Sequence, residues 1–162
     1  MFSPGIKNSL DKWVAAFLIF LMAFMVVNVS WQVASRYILK DPSSFTDELA
    51  RYMLIWVGML GSAYVAGKNE HLAIDIVMTK MSPRNVFKTK VLIHACVLVF
   101  ALTAMVIGGI NLVYITFILD QTSAALRIPL AYVYAIIPFS GLLVIYYQIG
   151  AILQLFKDQK TS

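Results

Sequence analysis

The stretch RYILKDPSSFTDELARYMLIWVGMLGSAYVAGKNEHLAID, residues 36–75, sets charged side chains directly against the start of an apolar run. The segments on both sides of it are membrane-spanning in character. Charged groups are costly inside a bilayer, so these side chains must lie at an interface or be buried with partners. The stretch is therefore the first candidate for the functional surface of a membrane protein.

The composition of the whole chain excludes an ordinary soluble domain. Hydrophobic residues make up 60% of it and charged residues only 13%, whereas globular chains carry about 25% charged residues. Four intervals contain no charge, and they cover residues 13–35, 52–67, 91–119 and 128–156. A spanning helix needs about 20 apolar residues. The second interval reaches that length when residues 49–51 are counted and the Arg51 side chain extends to the headgroups.

The expected fold is an all-α integral membrane protein, with residues 1–162 forming a single membrane domain. The run after Lys7 and Lys12 is too long for the apolar region of a signal peptide, about 7–15 residues, and is taken as the first span. A short interfacial helical segment is expected between the first two spans. The four long transmembrane helices are predicted at about residues 13–35, 49–67, 88–119 and 129–156.

The distribution of Lys and Arg predicts the orientation. Nine of them lie in the two terminal segments and the second loop, and four lie on the other side, which places both termini in the cytoplasm. The net charge of +5 is then explained by anionic lipid headgroups and not by nucleic acid. The cytoplasmic loop residues expected to face phospholipid are Lys68, His71, Lys80, Arg84, Lys88 and Lys90.

Two patterns describe the predicted second helix. Ser44 followed by Asp47 resembles a capping box, so a helix should begin near Phe45, and Arg51 can pair with Asp47 or with Glu48. Further along the same helix, Gly58, Ser62 and Ala66 follow Arg51 and Ile55 at three- and four-residue spacing. Small residues at such spacing let another helix approach closely.

Polar and breaking residues in the other spans predict packing. Asn28, Ser30 and Gln32 near the end of the first span should bond to a neighbouring helix. Pro138 should kink the fourth helix and free a carbonyl near Tyr134.

The chain lacks the chemistry of an enzyme or of an ion-coupled transporter. No Asp, Glu, Lys or Arg lies near the middle of any predicted span, where autonomous transporters keep their coupling groups. No zinc, nucleophile–base or phosphate-loop pattern occurs, and no cofactor is expected. His94 is expected to be a hydrogen-bonded residue between helices. Two alternatives remain open: an oxidoreductase membrane anchor that uses His94 for haem or quinone, and a small transporter that works alone.

The motif in residues 35–75 resembles the DctQ-type small membrane subunit of TRAP (tripartite ATP-independent periplasmic) transporters. The resemblance rests on an aromatic residue and Thr before two acids and an Arg, followed by Trp, Gly and a loop His. In this sequence these are Phe45, Thr46, Asp47, Glu48, Arg51, Trp56, Gly61 and His71, with Ser35-Arg36-Tyr37, Pro42 and Asp75 around them. Residues 128–132 and Pro138 also fit the family.

The resemblance implies a permease subunit in the inner membrane of a bacterium. It would brace a large M-type membrane subunit, which carries the solute and sodium sites, and help to dock a periplasmic P-type binding protein. The solute would be a carboxylate, with sialic acid favoured. The residues expected to form the partner interface are Arg36, Tyr37, Asp47, Glu48, Arg51, Trp56, Gly58, Gly61 and Ser62.

Overall fold

Four long helices form the structure, a computed structural model that describes residues 4–41, 43–68 and 83–161. All four are long and apolar enough to cross a membrane, which confirms the predicted fold class and number of spans. The end of the bundle where the chain begins is called proximal here, and the end that carries residues 38–43 and 119–129 is called distal. The helices are α1 (Pro4–Tyr37), α2 (Ser44–Lys68), α3 (residues 83–118) and α4 (residues 130–161).

The start of α2 differs in two details from the prediction. Ser44 is already the first helical residue, and the preceding Ser43 accepts the N–H of Thr46 on its side-chain oxygen at 3.4 Å. The residue three positions after Ser43 is Thr46 and not an acid, so Ser43 caps the helix without the reciprocal carboxylate of the predicted capping box. The predicted interfacial segment forms the first turns of one continuous 25-residue helix, because no breaking residue separates Phe45 from the apolar run.

A π-helical stretch interrupts α3 in its middle. Pro83–Phe100 and Gly109–Ile118 are α-helical, and Ala101–Gly108 between them is π-helical. Such wide turns are rare and shift the side chains that follow around the helix. The whole of α3 has 36 residues, which at 1.5 Å per residue gives about 54 Å. It therefore exceeds the hydrocarbon thickness of about 30 Å and must tilt or protrude.

A break in α4 lies where the proline predicts it. The helix is divided into Leu130–Tyr134 and Ile136–Thr161, and Ala135 lies between them. Pro138 has no N–H to donate to the carbonyl of Tyr134, so the helical ladder loses a bond at this point. The break in α4 faces the irregular part of α3, since a Cβ added at Gly109 would lie 2.9 Å from Cδ of Pro138.

Small residues hold the centre of the bundle together. Ala63 and Ala66 of α2 pack with Ala101 and Met105 of α3 and with Val144 of α4. Without a strong hydrophobic force between helices in lipid, close backbone approach of this kind stabilises the bundle through van der Waals contact. At the proximal end, Gly67 lies against the ring of Tyr147, whose hydroxyl donates to Asp11 of α1 at 2.6 Å.

Candidate functional site

The charged cluster predicted from the sequence lies at the distal end, where α1 and α2 meet. Arg51 donates to Asp47 at 2.5 Å, and the amide of Gln32 donates to the other carboxylate oxygen of Asp47 at 2.7 Å. One turn away along α1, the amide of Asn28 donates to the carbonyl of Thr46 at 2.8 Å. Asn28 and Gln32 therefore join neighbouring helices as predicted. The Arg51 side chain remains 75% exposed and points away from the bundle.

The predicted pairing of Glu48 with Arg51 is wrong, because Glu48 has other partners. Its carboxylate accepts backbone N–H groups from a loop 76 to 78 residues further along the chain. The donors are Ala124 at 3.1 Å, Ala125 at 2.7 Å and Leu126 at 3.1 Å. Three successive N–H groups that converge on one carboxylate form a backbone nest, which favours a negative charge. The hydroxyl of Tyr52 donates to the same carboxylate at 2.8 Å.

The loop that supplies these N–H groups is compact in its own right. The N–H of Ser123 donates to Ile128 and the N–H of Arg127 donates back to Ser123. Arg127 has a φ of 54°, a left-handed conformation that lets the chain reverse within a few residues. The N–H of Leu130 donates to Gln121, which brings the start of α4 beside the end of α3. Glu48 thus fastens a preformed loop to the first turns of α2.

Trp56 fastens α2 to α4 at a second point. Its indole N–H donates to the carbonyl of Val133 at 3.1 Å, two residues before the break at Ala135. A carbonyl beside a helix break is available to a side-chain donor, and a buried indole N–H needs such a partner. Trp56, predicted as a partner-interface residue, therefore makes a contact within the chain. Glu48 and Trp56 together hold the first stretch of α4 against α2.

The opposite face of α2 is exposed and rich in small residues. A Cβ added at Gly58 or at Gly61 would meet nothing within 4 Å. Ser62 is exposed, and its hydroxyl donates to the carbonyl of Met59 at 2.8 Å. Leu54 and Val65 flank these residues with 60% and 53% of their surface exposed. We call Arg51, Leu54, Gly58, Gly61, Ser62 and Val65 the α2 face.

The predicted small-residue stripe is correct only in part. Gly58 and Ser62 lie on the α2 face, but Ala66 is buried among α3 and α4, and Ile55 packs toward Leu60 and Ile136. The reason is geometric: successive steps of four residues drift around a helix with 3.6 residues per turn. The stripe therefore begins on the exposed side of α2 and ends in the core.

The remaining predicted site residues lie at the two ends of the bundle. Arg36 and Tyr37 are exposed at the end of α1, with 73% of Tyr37 accessible. Lys68 is exposed and its ammonium lies 5.3 Å from the centre of the Tyr64 ring. Lys88 and Lys90 lie on the first stretch of α3, where Arg84 also takes a helical backbone. His71 and Lys80 are outside the described residues.

His94 takes the structural position predicted for it. It is buried, and its Nδ1 lies 2.5 Å from the side-chain oxygen of Gln148, which is fully buried in α4. The described residues contain no group of three or more His, Cys, Asp or Glu side chains arranged to hold a metal ion. The histidine thus joins α3 to α4 as a polar contact.

Sequence reasoning missed the loop residues that bind Glu48. The run Thr122-Ser123-Ala124-Ala125 offers the one available signal, because small side chains leave backbone N–H groups accessible. That signal is weak, since such runs are common in loops that bind nothing.

The chain matches a family profile and several curated proteins. The profile described as "Tripartite ATP-independent periplasmic transporters, DctQ component" matches residues 25–158. The sialic acid TRAP transporter small permease protein SiaQ of Vibrio cholerae is 27% identical over 88 residues, which cover 54% of this chain and 51% of that protein. The matched region thus spans about half the length of that relative.

Two larger relatives carry the same region as a small part of a longer chain. The sialic acid TRAP transporter permease protein SiaT of Haemophilus influenzae is 30% identical over 98 residues, which cover 57% of this chain and 15% of that protein. The isethionate TRAP transporter permease protein DctMQ of Oleidesulfovibrio alaskensis is 26% identical over 144 residues, which cover 85% of this chain and 22% of that protein. Most of each larger relative therefore lies outside the region shared with this chain.

Proposed function

The chain belongs to the DctQ family of TRAP transporter components, and from this premise we propose that it is the scaffold of a two-part permease. In this proposal it braces a large M-type subunit, which moves the solute, and does not carry the solute itself. The support is chemical: the described spans present small residues and internal polar contacts, and no charged side chain lies near the middle of a span. An alternative role as an oxidoreductase anchor is not favoured by these relatives.

The α2 face is the observation that carries the proposal. Residues in the middle of a spanning helix that leave open space above two glycines can accept a second helix at close range. The larger DctMQ and SiaT relatives place the shared region in one polypeptide with additional sequence. A helix of the large subunit packed on Gly58, Gly61 and Ser62 would bury this face.

The solute is proposed from the relatives, and sodium as the driving ion is proposed from the family resemblance. Two of the relatives above are named as sialic acid transporters and one as an isethionate transporter. We favour sialic acid, imported with sodium, as the solute of the complex. Uptake of labelled sialic acid that depends on a sodium gradient, in cells with the complete system, is the measurement that tests this choice.

The orientation is proposed from charge. With nine Lys and Arg in the terminal segments and the second loop and four in the other connections, both termini lie in the cytoplasm and the distal end faces the periplasm. The exposed residues Arg36, Tyr37 and Arg127 then lie on the side from which a periplasmic binding protein would approach. Fusion of a reporter that fluoresces only in the cytoplasm to the C-terminus tests this orientation.

Gly58→Leu tests the scaffold role directly. A Cβ added at this exposed position meets nothing within 4 Å, so the isolated chain should fold, while a partner helix would be pushed away. We expect the tagged variant to lose co-purification of a large membrane subunit from native membranes, and uptake to fall with it. The matched control is Ala16→Leu at an exposed position of α1, which should retain both. A wild-type chain that captures no such subunit would contradict the proposal.

Arg51→Ala tests whether the charged end of the α2 face belongs to the same interface. The ion pair with Asp47 is exposed, so its loss should change the stability of the isolated chain by no more than about 0.5 kcal/mol. We nevertheless expect weaker co-purification and lower uptake. Removing a charge that contacts a partner inside a membrane interface leaves the partner's polar group without its counterpart. Lys40→Ala in the exposed distal loop is the control. Unchanged co-purification and uptake would remove Arg51 from the interface.

A further inference from the structure

A groove of about 570 Å³ runs along the bundle between α1 and α4, with α2 as its floor. Leu10, Val14 and Phe17 form one wall, Trp56 and Leu60 form the floor, and Phe139 lies on the other wall. The groove exists because α1 packs on α2 and not directly along α4. The hydrogen bond between Asp11 and Tyr147 joins the two walls near the proximal end.

The chemistry of the groove suits hydrocarbon. Its lining is almost entirely apolar, so a hydrated or charged ligand would lose its water without compensation. A flexible acyl chain can follow such a surface and gain dispersion contacts along its length. The α1 wall from Leu10 to Phe17 rises by seven residue steps, or about 10 Å, which fits within a single leaflet of about 15 Å.

Apolar contact alone would not retain one lipid, because the surrounding bilayer is just as apolar. The proximal end of the groove supplies a second contact. Lys7 lies one turn before Leu10 on the same side of α1, at the spacing that continues through Val14 and Phe17. The first turn of α1 contains no acid, and the start of a helix favours negative charge. Asp11, the acid nearest to Lys7 in the sequence, accepts the Tyr147 hydroxyl, and the adjacent Lys12 offsets its negative charge.

We propose that this groove is a binding site for a single anionic phospholipid, with an acyl chain along Leu10, Val14 and Phe17 and the phosphate at Lys7. Trp13, which is 77% exposed, lies about one turn beyond Leu10 and borders the same groove. The floor residues Trp56 and Leu60 point away from the α2 face. The lipid site is therefore separate from the proposed contact with the large subunit and does not depend on it.

Native mass spectrometry of the tagged full chain tests the site. We expect one dioleoyl phosphatidylglycerol to remain bound under detergent conditions that remove dioleoyl phosphatidylcholine. Lys7→Gln should weaken phosphatidylglycerol binding about fivefold, the contribution of one basic residue near an anionic headgroup, and should leave phosphatidylcholine binding unchanged. Lys40→Gln, at the distal end of the bundle, is the charge control and should bind as wild type does.

A second pair of variants tests the groove itself. Val14→Trp fills the groove and should remove the bound phosphatidylglycerol, whereas Val26→Trp adds the same side chain at a lipid-facing position of α1 that is 59% exposed and should retain it. Equal binding of the two lipids, or equal binding by the two tryptophan variants, would overturn the proposal. So would a Val14→Trp variant that keeps the lipid and loses the large subunit, because the groove would then hold a protein helix.

Discussion

Glu48→Ala is expected to release the loop of residues 121–129 from α2 and to reduce solute uptake severalfold. The substitution removes an acceptor of three backbone N–H groups and of the Tyr52 hydroxyl. Backbone donors that lose a partner near the membrane must find water or rearrange, and this cost makes the loss larger than that of an ordinary exposed acid. Of the two contacts that hold the start of α4 to α2, only the bond from Trp56 to Val133 would then remain.

Cysteine labelling measures the release of the loop. In a Cys96→Ser background, Ala125→Cys, at a half-buried loop position whose N–H donates to Glu48, should react more slowly with a membrane-impermeant maleimide when Glu48 is present than with Glu48→Ala. Glu48→Gln should give an intermediate rate, since the amide keeps one acceptor oxygen and loses the charge. Asp41→Ala changes an exposed acid at the same end of the bundle and should leave the rate unchanged. Equal rates in all four proteins would mean that Glu48 does not hold the loop.

The number of spanning helices could be predicted because membrane spanning depends on each segment by itself. A charge-free interval of sufficient length can cross the membrane independently of the neighbouring segments. The acids after Ser43 and Ser44 likewise placed the start of α2 to within one residue, since capping involves groups a few positions apart. Pro138 marked the break in α4 for the same reason: the missing N–H is a local property.

The rotation of each helix could not be predicted in the same way. In a soluble protein the apolar side of a helix faces the core, but in lipid both the core and the outer surface are apolar. The sequence therefore indicated a small-residue stripe on α2 without showing that Gly58 would be exposed and Ala66 buried. That distinction depends on how α1 and α4 pack on either side of α2.

The contact of Glu48 was missed because its partners are backbone groups. Every loop offers N–H donors, so nothing in the residue types of 124–126 identifies them as the ones that a carboxylate 76 to 78 residues away will bind. The nearby Arg51 was a more obvious partner by sequence spacing. In the structure Arg51 pairs with Asp47, and Glu48 binds the backbone of the loop across the bundle instead.

The π-helical stretch of α3 was also absent from the prediction. Its residues, ALTAMVIG, are ordinary for a spanning helix. The stretch lies against α4: Gly141 is beside Met105 and Val106, and Pro138 is beside Gly109, the residue that follows the stretch. The π-helical stretch of α3 thus packs against the broken part of α4. The local sequence of α3 does not indicate this stretch.

Gly141→Val is expected to unfold this contact between α3 and α4. A Cβ at Gly141 would lie 2.8 Å from Cβ of Met105, 3.0 Å from Cγ2 of Val106 and 3.3 Å from the Val106 backbone nitrogen. Two of these three atoms are fixed by the backbone of α3 and cannot move aside by a side-chain rotation. Overpacking of this kind costs about 1–3 kcal/mol where side chains can adjust, and we expect the upper end of that range here. The melting temperature in mild detergent should fall and less folded chain should be recovered.

Gly150→Val on the same helix is the control that isolates the clash. A Cβ at Gly150 meets nothing within 4 Å, and both variants replace glycine by valine inside Ile136–Thr161, so the change in helix propensity is the same. The difference in melting temperature between the two proteins therefore measures the steric contact alone. If both variants melt together, α4 can move away from the π-helical stretch at little cost, and the close approach at Gly141 does not hold the bundle. If only Gly141→Val is destabilised and uptake falls with it, the irregular segments of α3 and α4 form the rigid centre that a scaffold subunit requires.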